Sequence, residues 1–184
     1  MVVAPGLPDY VRRLVAPASL MLFLGIDPGF GRCGYGLVRE ERTGAITWQA
    51  QGVIETPKTD TFAMRLQQLR DELQALLVLW QPDEVAVEQL FFATNAKTAI
   101  SVGHARGVIL LTLADARMKI NEYTPLQVKQ AISGYGAANK KQMQEMVRIL
   151  LTLKTIPKPD DAADALAIAI THVQSRRMRN LAEK

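Results

Sequence analysis

Four carboxylates stand out by where they fall. Asp27 closes the apolar run in "LFLGIDPGFG", Glu88 ends "EVAVE", and Asp161 and Asp164 open the helical stretch "DDAADALAIAITHVQ". Asp27 and Glu88 lie at the carboxyl ends of expected strands, the edge where open α/β sheets place their sites. Asp161 and Asp164, at i and i+3, share one face of a helix about one turn apart. If that face meets the strand ends, four acids converge, raise one another's pKa and need cationic compensation. No lysine or arginine directly adjoins them in sequence. Hard divalent ions such as Mg2+ meet that need with a few carboxylates, waters and substrate phosphate. A pair of such ions can activate water and stabilise the leaving oxygen of an in-line phosphoryl displacement. The pattern therefore reads as metal-dependent phosphodiester hydrolysis. Alone, Asp27 also reads as a turn former before Pro28-Gly29, and Asp160, Asp161 and Asp164 as helix caps, whereas Glu88 is harder to dismiss, since a charged residue ending a buried strand wants a partner. Their conjunction favours the site.

The elements that must position these acids follow from the apolar pattern. Met21 to Ile26 is a short continuous run ended by Pro-Gly, the mark of a buried central strand. Gly34 to Arg39 and Ile46 to Ile54 follow across short turns, giving an antiparallel meander. Leucines and Met64 recur at helical spacing from Thr61 to Trp80, with Pro82 just beyond. A fourth strand (84–89) leads to a helix over 94–116 that is apolar nearly all round, hence covered on more than one side by core or partner. A fifth strand (119–123) precedes Thr124-Pro125, an N-cap followed by an N1 proline, and a helix to about Ile132. Helices over 138–153 and 160–174 complete the chain. The expected class is α/β: a mixed five-stranded sheet, three antiparallel strands then parallel βα units, flanked by helices.

Composition bounds the rest. With 184 residues, 48% of them hydrophobic, the chain has the size of one domain with a sizeable core. We expect an extension over 1–20, one domain over 21–175 and a basic tail over 176–184. Arg12 and Arg13 precede an apolar run, but Pro17, the shortness of the run and its passage straight into Asp27 argue against a secretory signal or a membrane span; translation could begin at Met21. The lone cysteine, Cys33, forms no internal disulfide, which fits a reducing, cytoplasmic compartment, and reads as small filler near the glycine turn. The formal charge of +4 is a mild bias toward polyanions. Trp48 and Trp80 read as packing residues, His104 and His172 as structural or solvent-facing. Gly29, Gly31, Gly34 and Gly36 read as backbone freedom and close substrate approach around Asp27.

"GIDPG", "VEQLFFATNAKTA", "HARG", "QVKQ" and "DAADALAIAITH", in that order from about Leu22 to His172, resemble the RuvC-type Holliday-junction resolvases, members of the ribonuclease-H-like superfold. The resemblance implies that Asp27, Glu88, Asp161 and Asp164 are the catalytic metal-binding tetrad, holding Mg2+, two per site, with Mn2+ as a substitute. It implies that Phe91 inserts near the junction crossover, where an aromatic can replace stacking lost as a duplex opens. Lys129 and Lys140 match family lysines that meet DNA phosphates; Lys141 and Arg106 are further DNA-binding candidates. A four-way junction has approximate two-fold symmetry, so a C2 homodimer is expected, with the small-residue-rich helix over 94–116 as the candidate seam; the resemblance adds paired nicks leaving 5'-phosphate and 3'-hydroxyl ends, and cooperation with a branch-migration motor and junction-binding complex.

Three other classes share parts of this pattern. An actin-like or sugar-kinase-like ATPase also opens with a glycine-flanked acid, but needs a second lobe; ATP-independent cleavage excludes it. A junction-binding module with degenerate chemistry is separated by metal-dependent nicking. A ribonuclease-H-like nuclease acting on hybrids or ordinary duplex is separated by substrate competition.

Overall fold

The computed structural model describes residues 20–90 and 96–182. Five strands, β1 (Met21–Asp27), β2 (Arg32–Glu40), β3 (Ile46–Glu55), β4 (Glu84–Glu88) and β5 (Lys119–Tyr123), form one sheet in the order β3-β2-β1-β4-β5. β1, β2 and β3 pair antiparallel, while β4 lies parallel to both β1 and β5. This is the expected mixed sheet. β1 is central because its side chains are apolar on both faces: Phe23 joins one core, Leu22, Leu24 and Ile26 the other.

Helices α1 (Phe62–Trp80) and α2 (Ala96–Asp115) cover one face, and α3 (Pro125–Ser133), α4 (Lys140–Leu150) and α5 (Asp160–Ala182) the other. Thr61 caps α1. Thr124 and Asn139 form capping boxes with Gln127 and Gln142, so the orphan N–H groups of α3 and α4 are met locally. α5 is the organising helix, with an unbroken buried stretch from Ala165 to Val173 against β1 and β2.

Glycine explains how close α5 comes. A Cβ at Gly25 would run into the Ala165 carbonyl, one at Gly34 into the Asp161 carbonyl, and one at Gly36 would meet the Leu166 nitrogen at 2.7 Å. These glycines make room for a helix. That corrects the reading of Gly34 and Gly36 as room for substrate. Gly29 does serve a turn, since a Cβ there would strike the Arg32 carbonyl.

Other expectations shift. Residues 176–182, read as the start of a basic tail, are the last turns of α5, because Arg176 and Arg177 pair with Glu40 at 3.4 and 2.7 Å. Trp48 is 44% exposed rather than a packing residue, because it stands on the sheet's edge strand. Cys33 is buried filler as expected, its thiol pushed up to about 12 by burial. The expected extension over 1–20 lies outside the described residues except for Leu20. Among the described residues, no helix is long and apolar enough to cross a membrane.

Candidate active site

The sheet register brings the first two acids together. In the parallel pair β1/β4, Ile26 aligns with Val87, so Asp27 and Glu88 end adjacent strands side by side. α5 adds the second pair, since Gly34, the β2 partner of Asp27, packs directly under Asp161. One turn further along α5, Asp164 faces the same place.

Three of the four open on a cleft of about 330 Å³. Asp27, Glu88 and Asp164 line it, with Lys129 from α3 and Asn139 and Lys140 at the start of α4; Val128, Ala138, Met143 and Ala167 supply apolar wall. Charge in the cleft is under-compensated. Burial, with the nearby charges of Glu88, Asp164 and Asp161, lifts the Asp27 carboxyl to about 7 against the pull of Lys140. Burial and Asp164 lift Glu88 to about 7 despite Lys129. Asp164 is also raised, by burial first, with Lys140 opposing.

Basic side chains hold two of the acids from outside. Lys140 Nζ lies 3.1 Å from Asp160 and 3.6 Å from Asp164, and Gln144 donates to Asp160 at 3.0 Å. Arg32 Nε donates to Asp161 at 2.8 Å, and its Nη1 lies 3.1 Å from Glu55. Among the described residues no three His, Cys, Asp or Glu side chains are drawn together as a ready-made metal cage. Asp164 is turned to Lys140, and Asp161 is turned to Arg32 and stands outside the lining of the cleft, so three of the four acids share its wall. The donor set nonetheless fits a hard divalent cation: the cleft offers oxygen ligands with neither imidazole nor thiolate, and two carboxyls there gain from a nearby positive charge.

The other expected residues divide. Lys129 and Lys140 line the cleft. Lys141, the next residue on α4, is exposed and lines none of it. Arg106 forms an ion pair with Glu122, and its Nε donates to the Glu88 carbonyl at 3.4 Å; its guanidinium braces the strand end that carries Glu88. Phe91 lies outside the described residues. His104 is exposed, while His172 is fully buried, accepting from Tyr123 O–H at Nδ1 and donating to Glu84 from Nε2. Sequence reading missed Arg32, which stands 129 residues from Asp161 and belongs to no acid motif.

Against known proteins, the family model described as "RuvC: Crossover junction endodeoxyribonuclease RuvC" matches residues 23–172. The crossover junction endodeoxyribonuclease RuvC of Syntrophomonas wolfei is 54% identical over 165 residues, covering 89% of this chain and 94% of that protein. The protein of the same name from Heliobacterium modesticaldum is 53% identical, covering 82% and 92%. Among solved structures, Thermus thermophilus RuvC in complex with Holliday junction substrate superposes with a TM-score of 0.81 at 36% identity, over 86% of this chain and 96% of that one.

Proposed function

Because the chain belongs to the RuvC family of crossover junction endodeoxyribonucleases, we propose that Asp27, Glu88, Asp161 and Asp164 are the hydrolytic centre with which it cuts four-way DNA junctions. It is a metal-dependent nuclease of recombination and repair. Mg2+ is the ion we assign, two per site, with Mn2+ as a substitute. Asp27, Glu88, Asp161 and Asp164 would hold the ions, which would help to activate water and to stabilise charge at the leaving oxygen.

The protein's own residues supply the rest. Asp27 and Glu88 ride on buried strands, so their carboxylates are fixed before substrate arrives. Asp164, on the packed face of α5, completes the wall. Lys129 and Lys140 stand across the cleft, where their ammonium groups can pair with phosphates on either side of the scissile bond. Family resemblance assigns the 3'-oxygen as the leaving group, so that attack by water on phosphorus leaves a 5'-phosphate and a 3'-hydroxyl. Phe91, just past the Glu88 strand, is assigned to the unstacked bases at the crossover, and Lys141 to more distant phosphate.

A four-way junction has approximate two-fold symmetry, which a C2 homodimer matches by setting one site on each of two strands of like polarity. The seam we assign is the open face of α2. Ile100 and Leu111 are 66% and 62% exposed there, beside a shallow groove shared with Leu66 of α1. Cooperation with a branch-migration motor and junction-binding complex, in the cytoplasm, completes the assignment.

The observation that carries this reading is the meeting of three acids from three elements on one cleft, Asp27 and Glu88 at the ends of adjacent parallel strands and Asp164 from α5. The test is cleavage of an end-labelled synthetic four-way junction beside linear duplex in Mg2+. Symmetric nicks in the junction alone, lost in Asp27→Asn while junction binding persists, are expected. Binding without cleavage by the wild type would instead make the chain a junction-binding module.

A further inference from the structure

Arg32 is placed to do more than brace a surface. It opens β2, five residues after Asp27, and is 47% exposed at the rim of the site. Its Nε takes one oxygen of Asp161 at 2.8 Å while Nη1 reaches Glu55 at 3.1 Å. The guanidinium is thus stretched between an acid of the centre and an acid of the sheet edge. Asp161 is itself one-third exposed, so this pair can exchange partners at low cost. Half-buried Asp27 and Glu88, by contrast, have no basic side chain within salt-bridge distance among the described residues.

Resting on the metal site assigned above, we propose that Arg32 is an internal counter-ion that occupies Asp161 in the resting protein, yields it to the divalent cation and turns its guanidinium to a strand phosphate. Three physical points support it. Asp161 cannot give the same lone pairs to a cation and to the Arg32 Nε–H, so the two compete. A guanidinium freed at the rim has the planar fork that suits phosphate oxygens. Glu55, holding the other side of the fork, keeps Arg32 close enough to return when the product leaves. The device would lower metal affinity in the absence of DNA and tie full occupancy of the centre to the arrival of substrate.

The experiment is a titration of DNA-free protein with Mn2+, reading free Mn2+ by electron paramagnetic resonance, for wild type, Arg32→Ala, Arg32→Lys and Glu55→Gln. Removing Arg32 should tighten Mn2+ binding about two- to fivefold, the worth of a half-exposed ion pair. Glu55→Gln leaves the whole guanidinium to Asp161 and should leave Mn2+ binding unchanged or weaker. Junction binding in Ca2+, a hard divalent ion that can take the carboxylates, should also lose about one unit of log–log salt slope in Arg32→Ala and keep it in Arg32→Lys, as for one phosphate contact; in EDTA, where Arg32 stays on Asp161, the slope should not change. If the wild type binds Mn2+ and Arg32→Ala binds it no better, the counter-ion role is wrong while the metal site stands. An unchanged salt slope in Ca2+ removes the phosphate contact. Should the wild type bind no Mn2+ at all, both the site and this inference fall. If Arg32→Ala does not fold, Arg32→Lys and Glu55→Gln still decide: identical Mn2+ affinity for wild type and Arg32→Lys, whose shorter, forkless ammonium cannot span both acids, would contradict the proposal.

Discussion

Asp27 and Glu88 hold their carboxyls near 7 because burial and acidic neighbours penalise ionisation. Each binds its proton more tightly folded than unfolded. Between the ordinary carboxylate range and about 7, deprotonation therefore opposes folding, and metal-free stability should fall as pH rises through that window. Asp27→Asn removes the penalty. Its metal-free form at pH 8 should be more stable than wild type by on the order of 2 kcal/mol, since a tenfold change in proton affinity is worth about 1.4 kcal/mol and part of the repulsion is screened. Thermal melts in EDTA across pH 5 to 8 check this: the wild-type melting temperature should decline with rising pH, and the variant's should decline less. A variant that melts lower than wild type at every pH would mean that Asp27 serves the fold and not the chemistry. The four acids were legible in the sequence because each sits at a recognisable element end. Arg32 was not, because its partner is far along the chain and the pairing exists only once α5 lies on β2.

The approach of α5 to the sheet fixes where Asp161 and Asp164 stand, and glycine sets that approach. Gly34→Ala and Gly36→Ala should each cost about 1–3 kcal/mol, as overpacking does, and should lower junction cleavage by displacing the helix that carries two of the acids. Gly31→Ala is the contrast: its Cβ would meet only the flexible Arg65 side chain at 3.3 Å, so stability should hold within about 0.5 kcal/mol. Urea denaturation of the three variants reads the difference, and equal costs would refute the packing argument. The strands, the meander and most helices were readable from apolar runs and caps, Thr124-Pro125 above all. Two features were not. The glycines near Asp27 advertise freedom without saying which atom comes close, and here it is the α5 backbone. The last turns of α5 lack an apolar signal because they are held by Arg176 and Arg177 against Glu40.

Across the molecule, His172 ties α5 to two strands through Glu84 and Tyr123 in the core beneath the site. Burial lowers the His172 pKa against the pull of Glu84; for Glu84, burial raises the pKa but the hydrogen bonds from Lys119 and His172 prevail and lower it. Both shifts give stability that is whole above the groups' ordinary values and drains as pH falls through the folded ones. His172→Ala leaves a cavity and an unpaired Tyr123 hydroxyl, while Glu84 keeps Lys119 and Arg176, and should cost about 3 kcal/mol by denaturant titration; a loss under about 1 kcal/mol would mean the network is peripheral. On the opposite layer, Leu111→Glu should yield a monomer by light scattering, and paired nicks should give way to slow single ones. A stable dimer of that variant would move the seam elsewhere. The most direct measurement of all is anomalous diffraction from crystals grown with Mn2+. We expect density for the ion between Asp27, Glu88, Asp161 and Asp164, with Arg32 turned away from Asp161. Mn2+ bound elsewhere, with Arg32 still on Asp161 and no ion beside Asp27, would contradict the hydrolytic centre described here.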